Sequence, residues 1–340
     1  MSPIWKDFLS SQAAEFKDDR LLTFKGNEIN ESSTINNIVT DLSHLAIIEV
    51  SGDDSEDFLH GQFTINIKEL TNNYCQFSAW CNPKGQVKAT FLIYRNDNNF
   101  TILLPAELKG TFVKQLQMFV LRANVNISDK SDELIRIGVQ MKDDTTLSNL
   151  IDSVPEQLGD VTFSNDIHCL RITSNENVRR FILIGSADRQ IELWKEFAKH
   201  VTPVGTSLWE LLDLQTAYPW VTTETTQKFL PQMLNMDLID GLNYQKGCYP
   251  GQEIIARLHF RGQLKRSLCL ATTALDSRVI SGDQLYDSDK SIGTVINAQA
   301  ANDKYYLLAV IDIDSREKKI SLGNSDGPLL SLLQLPYGNN

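Results

Sequence analysis

The feature that most constrains this chain is an order of elements that occurs twice: a strand, a short helix, further strands, then a longer amphipathic helix. The first pass opens on the apolar strand Ala46 to Val50 and turns at Ser51-Gly52. A helix start rich in carboxylates follows (Asp53-Asp54-Ser55-Glu56), with Gly61 as its stop. Strands are predicted over Gln76 to Trp80 and Lys88 to Tyr94, joined by the turn Asn82-Pro83-Lys84-Gly85. A reversal at Asn96 to Asn99 leads into the strand Phe100 to Leu104. Leu108, Phe112, Leu116 and Phe119 then fall at helical spacing within Ala106 to Arg122. The second pass reads strand Ile135 to Gln140, short helix Thr146 to Ser153, strands His168 to Thr173 and Phe181 to Gly185, and helix Ala187 to His200. Two copies are too few for a solenoid, so the pattern implies one α+β domain of two interlocked halves.

The first forty residues are polar and aperiodic, as in an N-terminal arm or peripheral strand, whereas beyond residue 265 the chain is rich in strands and turns. The organisation is therefore an α+β domain over residues 1–243, a linking segment over 244–265, and a small C-terminal β-barrel or sandwich over 266–340. A length of 340 residues fits such a multi-domain division.

No apolar run resembles a secretion signal or is long enough to span a bilayer, so no membrane association and a cytoplasmic location are expected. The net charge of −11 opposes unspecific binding to nucleic acid. The five cysteines (Cys75, Cys81, Cys169, Cys248, Cys269) are odd in number and lack a C-x-x-C pair, so neither a disulfide framework nor a metal site is implied.

The richest stretch runs Lys246-Gly247-Cys248-Tyr249-Pro250-Gly251-Gln252-Glu253-Ile254-Ile255-Ala256-Arg257, a glycine-flanked turn entering a helix. A thiol just before a helix start, near Lys246 and Arg257, has the surroundings that favour a thiolate. Gly247 and Gly251 permit backbone angles or close approaches that a side chain forbids. His259, Arg261, Lys265 and Arg266 follow, opposed only by Glu253. By charge alone this segment suits a folate polyglutamate, a phosphate or an RNA backbone equally. A lone cysteine is ordinarily a small packing residue, and the other four sit in apolar, strand-like settings.

That string resembles the signature of YgfZ-type folate-binding proteins, relatives of the glycine-cleavage T-protein: Lys-Gly-Cys, an aromatic, a variable position, Gly-Gln-Glu and a spaced arginine. Further likeness lies at Ser51-Gly52-Asp53-Asp54, Pro83-Lys84-Gly85, Trp209-Glu210, Ala217-Tyr218-Pro219, Phe229-Leu230-Pro231-Gln232, Phe260-Arg261-Gly262 and Leu335-Pro336-Tyr337. The resemblance implies a duplicated folate-binding domain of the T-protein type followed by a small β-barrel, with tetrahydrofolate or a derivative in a central cavity and Cys248 at its edge in a thiolate or redox role. It also implies Trp209 as a folate contact, although Leu208, Leu211 and Leu212 around it fit a core position too.

Two departures from the family pattern are visible. Leu45 stands where the family has a second tryptophan, for which Trp80 is a candidate substitute. Ala89-Thr90 stands where the T-protein has adjacent aspartates, and a neutral pair cannot serve as proton acceptor or electrostatic partner. The resemblance therefore implies a folate-binding factor, more a non-catalytic one than an enzyme, that supports iron-sulfur enzymes and through them tRNA modification. The alternative is a folate-dependent aminomethyltransferase. Iron-sulfur proteins are expected as transient partners, and direct tRNA binding through the basic segment is not expected from so acidic a chain.

Overall fold

The computed structural model describes residues 1–17, 20–25, 37–175, 177–274 and 278–337. Seven α-helices occur among them: α1 Pro3–Ser11, α2 Ser55–His60, α3 Lys109–Gln117, α4 Thr145–Ser148, α5 Ala187–Phe197, α6 Thr206–Gln215 and α7 Gln252–Arg261.

The duplication is explicit in the strand order. The first half is a five-stranded antiparallel sheet ordered Cys75–Cys81, Val87–Asn96, Asn99–Pro105, Leu45–Ser51, Asn126–Asp129. The second half repeats this logic as Val161–Ser164, Ile167–Ile172, Arg179–Ser186, Leu134–Met141. There Ile38–Asp41 and Thr202–Pro203 complete the sheet, the last strand pairing parallel. Because Ile38–Asp41 precedes the first half in sequence but pairs with Leu134–Met141, the halves are interlocked.

Alternation along Arg179–Ser186 explains why its apolar run is continuous. Phe181 and Leu183 enter a core shared with α1 and α5, while Ile182 and Ile184 enter the central core. A strand buried on both faces carries no polar alternation. Each such side chain contributes about 1.5–3 kcal/mol by burial. The central core also takes Leu268, Leu270, Ile296, Leu308 and Val310 from the C-terminal sheet, so the two domains share one apolar interior.

The C-terminal six-stranded antiparallel sheet runs Ser321–Leu322, Gln284–Asp287, Lys290–Ala301, Lys304–Asp312, Arg266–Ala274, Ser331–Leu333. It curls until its edges meet. Leu330 N donates to Ile320 O at 2.8 Å, and Ser321 pairs with Leu329 across the gap.

Some sequence expectations are corrected. The N-terminus is more than a peripheral arm: α1 buries Trp5 and Leu9, and Trp5 donates its indole N–H to Asp41 at 2.8 Å. Residues 18, 19 and 26–36 of that stretch lie outside the described residues. Helix α3 stops at Gln117 rather than reaching Arg122. Leu121 has a φ of +50°, which no helix can continue through, and Phe119 is left 48% exposed. The predicted helix Thr146 to Ser153 is the single turn of α4, and α5 ends at Phe197, short of His200. The strand Val161–Ser164 escaped prediction; it joins its neighbour through Asn165 and Asp166, both at positive φ, the geometry of a tight hairpin.

Candidate functional site

The loop carrying the signature is held to the first half by its own polar atoms. Asn243 Oδ1 accepts from the backbone N–H groups of Gln245 at 2.8 Å and Lys246 at 3.0 Å, turning the chain. The Lys246 side chain then runs inward. Its ammonium donates to the carbonyl oxygens of His60 and Phe63, the latter at 2.6 Å, and lies 5.0 Å from the Tyr249 ring centroid. Burial pulls the Lys246 pKa down to about 7. Lys246 is thus committed to the interior, contrary to its expected place beside the Cys248 thiol.

Gln252 Nε2 donates to Lys246 O at 3.2 Å and closes the loop. Tyr249 is buried, and burial raises its phenol pKa. Helix α7 begins at Gln252, with Gly251 rather than Cys248 in the capping position. Gly251 has φ +83°, and a Cβ there would lie 2.5 Å from Asn82 O and from Gly85 Cα. Only glycine lets α7 seat on the Asn82–Gly85 turn. Cys248, Gly247, Glu253 and Arg257 are exposed, whereas the other four cysteines are buried.

A separate aromatic cavity of about 320 Å³ lies between the two halves. Its wall includes Leu45, Phe77, Ile172, Trp209, Tyr218 and Trp220, with Leu238, Asp240 and Tyr337 from the segments that flank it. One buried ion pair organises the polar side: Arg180 donates to Asp213 Oδ1 at 2.6 Å, and Trp220 Nε1 donates to Asp213 Oδ2 at 3.0 Å. The guanidinium lies 4.0 Å from the Trp209 ring centroid. Among the described residues Arg180 Nε has no hydrogen-bond partner. Phe77 meets Tyr218 and Trp220 edge-on at 4.9 and 5.2 Å. A second cavity, of about 830 Å³, shares Leu45, Asp213, Tyr218 and Trp220 with the first and opens toward the C-terminal sheet.

The structure separates residues that the sequence reading had grouped. Trp209 lies in the cavity wall but is 0% exposed, pressed against Gly138, where a Cβ would come within 2.6–2.8 Å of three ring carbons. Trp80 does not line the cavity. It packs edge-on against Phe112 and Phe119 at 5.4 and 6.1 Å, with the Lys88 ammonium 3.3 Å from its ring centroid. No residue of 246–257 contributes to the wall of either cavity.

Arg180, Asp213 and Trp220 went unnoticed as site residues. The available signal was Asp213 one helical turn after Trp209, a carboxylate on the apolar stripe of α6, where it demanded a buried partner.

Ala89 and Thr90 are buried. The Thr90 hydroxyl donates to Pro219 O at 2.8 Å and accepts from Val221 N at 2.9 Å. It fixes the segment that carries Tyr218 and Trp220. A carboxylate at this position has no proton to give Pro219.

The GCVT N-terminal domain family matches residues 15–142. The chain is 26% identical over 302 residues to the tRNA-modifying protein YgfZ of Klebsiella pneumoniae (strain 342), covering 87% of this chain and 91% of that protein. The chain is thus YgfZ-like along most of its length. The tRNA-modifying protein YgfZ of Colwellia psychrerythraea is likewise 26% identical over 304 residues, with 87% and 92% covered. The YgfZ of Enterobacter sp. (strain 638) is 27% identical over 305 residues, with 87% and 92% covered. The glycine cleavage system aminomethyltransferase T from Bartonella henselae superposes with a TM-score of 0.82 over 99% of this chain and 97% of its own, at 14% identity. The chain therefore has the T-protein fold. No helix among the described residues is long and apolar enough to cross a membrane.

Proposed function

We propose that this protein binds tetrahydrofolate or a derivative in the aromatic cavity and, as a folate-loaded factor, supports iron-sulfur enzymes and through them tRNA modification. The observation that carries the reading is the cavity itself: flat aromatic and apolar walls around one buried Arg180–Asp213 pair. A pterin offers faces for such walls, and its amino-pyrimidinone edge offers donors and an acceptor to a carboxylate and a guanidinium. Asp213, Arg180, Tyr218 and Trp220 would hold the ring. The likeness to tRNA-modifying YgfZ proteins supports the cellular role, in which Cys248, exposed on its loop, takes a thiolate or redox part.

Transfer of an aminomethyl group is the less favoured reading, because Ala89 and Thr90 offer no carboxylate and the Thr90 hydroxyl is spent on the backbone. Two experiments test the proposal. Purified protein given tetrahydrofolate and an aminomethyl donor is expected to bind the folate and to form no methylenetetrahydrofolate; turnover would establish the transferase instead. Cells carrying Cys248→Ala are expected to lose iron-sulfur-dependent tRNA modification under oxidative stress, and full modification would refute the role of the thiol.

A further inference from the structure

Two exposed features flank the signature loop, and neither is explained by a folate cavity. The first is the knuckle after α3. Met118, Phe119 and Leu121 are 69%, 48% and 88% exposed, and Leu121 holds a φ of +50°. A bulky apolar residue in that conformation costs about 1–3 kcal/mol of backbone strain, and at 88% exposure Leu121 gains little burial in return. Arg122 follows, exposed and, among the described residues, without an ion-pair partner.

The second is α7, which buries only Ile255 of its ten residues. The inward side is firmly fixed: Gln232 Nε2 donates to Ile255 O at 2.7 Å, and His259 stacks on Tyr244 at 3.8 Å. The outward side carries Ile254, Arg257 and Arg261 at i, i+3 and i+7, beside Phe260, which is 68% exposed. Lys265 follows. Arg257, Arg261 and Lys265 have no ion-pair partner among the described residues, in a chain whose net charge is −11.

A short chain of buried contacts runs from the knuckle to the loop that leads into α7. Phe119 lies 6.1 Å from Trp80, Trp80 pairs with Phe63 through a β-bridge, and Phe63 O accepts from Lys246, two residues before exposed Cys248. Apolar side chains within a rim of unpaired arginines make the anatomy of a protein interface. We propose that the 118–121 knuckle and the outward face of α7 form one docking surface for a protein whose contact area is acidic around an apolar side chain, bringing that partner over Cys248. Exposed Met118, Phe119 and Leu121 favour a protein over RNA, since a nucleic-acid backbone would gain only from the cations and would leave these side chains uncovered.

The surface is argued independently of what fills the cavity. A photo-crosslinking residue placed at Leu121, at Ile254 and, as control, at exposed Asp326 tests it in cells. The expected result is one identified protein captured from Leu121 and Ile254 but not from Asp326, in an adduct that survives ribonuclease. Prepared pure, that protein should bind the wild type and bind Arg261→Glu/Lys265→Glu about tenfold or more weakly. No shared adduct, an adduct destroyed by ribonuclease, or an affinity unmoved by charge reversal would overturn the proposal. Tetrahydrofolate titration of the charge-reversed variant, expected to match wild type, separates this outcome from failure of the folate reading.

Discussion

Asp213 accepts from the Arg180 guanidinium at 2.6 Å through one carboxylate oxygen and from the Trp220 indole at 3.0 Å through the other. One side chain of α6 thereby ties the second sheet to the segment that separates the two cavities. With side-chain exposures of 1% and 10%, the pair is removed from water, and each charge depends on the other. Asp213→Ala is expected to destabilise the protein by about 3–5 kcal/mol, because Arg180 is left buried and uncompensated. Arg180→Met combined with Asp213→Leu should recover most of that loss. Urea unfolding of the two variants beside wild type checks this, and equal losses in the single and double variants would contradict it.

Thr90 is a structural residue at a position where catalysis was sought. Thr90→Val removes the hydroxyl shared by Pro219 O and Val221 N and should cost about 1–3 kcal/mol by stranding both. Thr90→Asp should be at least as damaging and should gain no aminomethyl transfer. Stability by urea titration and a turnover assay read the two effects separately.

Gly138 leaves room for the Trp209 ring. Adding a methyl group in Gly138→Ala brings carbon within 2.6–2.8 Å of the ring, so the indole must move and Arg180 with it. The expected loss is about 1–3 kcal/mol, typical of overpacking. A shift in tryptophan fluorescence should accompany it; an unchanged spectrum and stability would show that Trp209 is not pinned there.

Lys246 gives a pH signature. Its folded pKa is about 7 against an ordinary value of 10.5, so between these limits the unfolded chain binds the extra proton and stability rises with pH. The unfavourable contribution is fully present below pH 7. It is relieved toward 10.5 by at most about 1.4 kcal/mol per pH unit. Buried thiols such as Cys75, raised to about 12, act in the opposite sense above the ordinary thiol range. Unfolding at pH 7 to 8.5 is therefore the clean window. Wild type should gain stability relative to Lys246→Met as pH rises, and parallel curves would contradict the assignment.

The fold was legible where spacing is periodic and the ends are punctuated. Ala46 to Val50, the Asn82–Gly85 turn and the amphipathic α5 announced themselves by pattern. The end of α3 did not, because Leu121 at positive φ is a tertiary choice that no local propensity reveals. In the site, the signature located the loop but misdirected Lys246, since a lysine beside a cysteine in sequence need not point at it in space. The pair Arg180 and Asp213 was missed because its members lie 33 residues apart, Arg180 beside Arg179 at the start of an apolar strand run and Asp213 within an apolar helix.

The central claim is that the aromatic cavity is a folate site, and calorimetric titration of tetrahydrofolate into wild type and Trp220→Ala tests it most directly. Trp220 lines the cavity while remaining half-buried, so its loss should remove ring contact without emptying the core. The account predicts saturable one-site binding by wild type, weakened about tenfold or more in the variant. Absence of saturable binding, or equal affinity in both proteins, would contradict it.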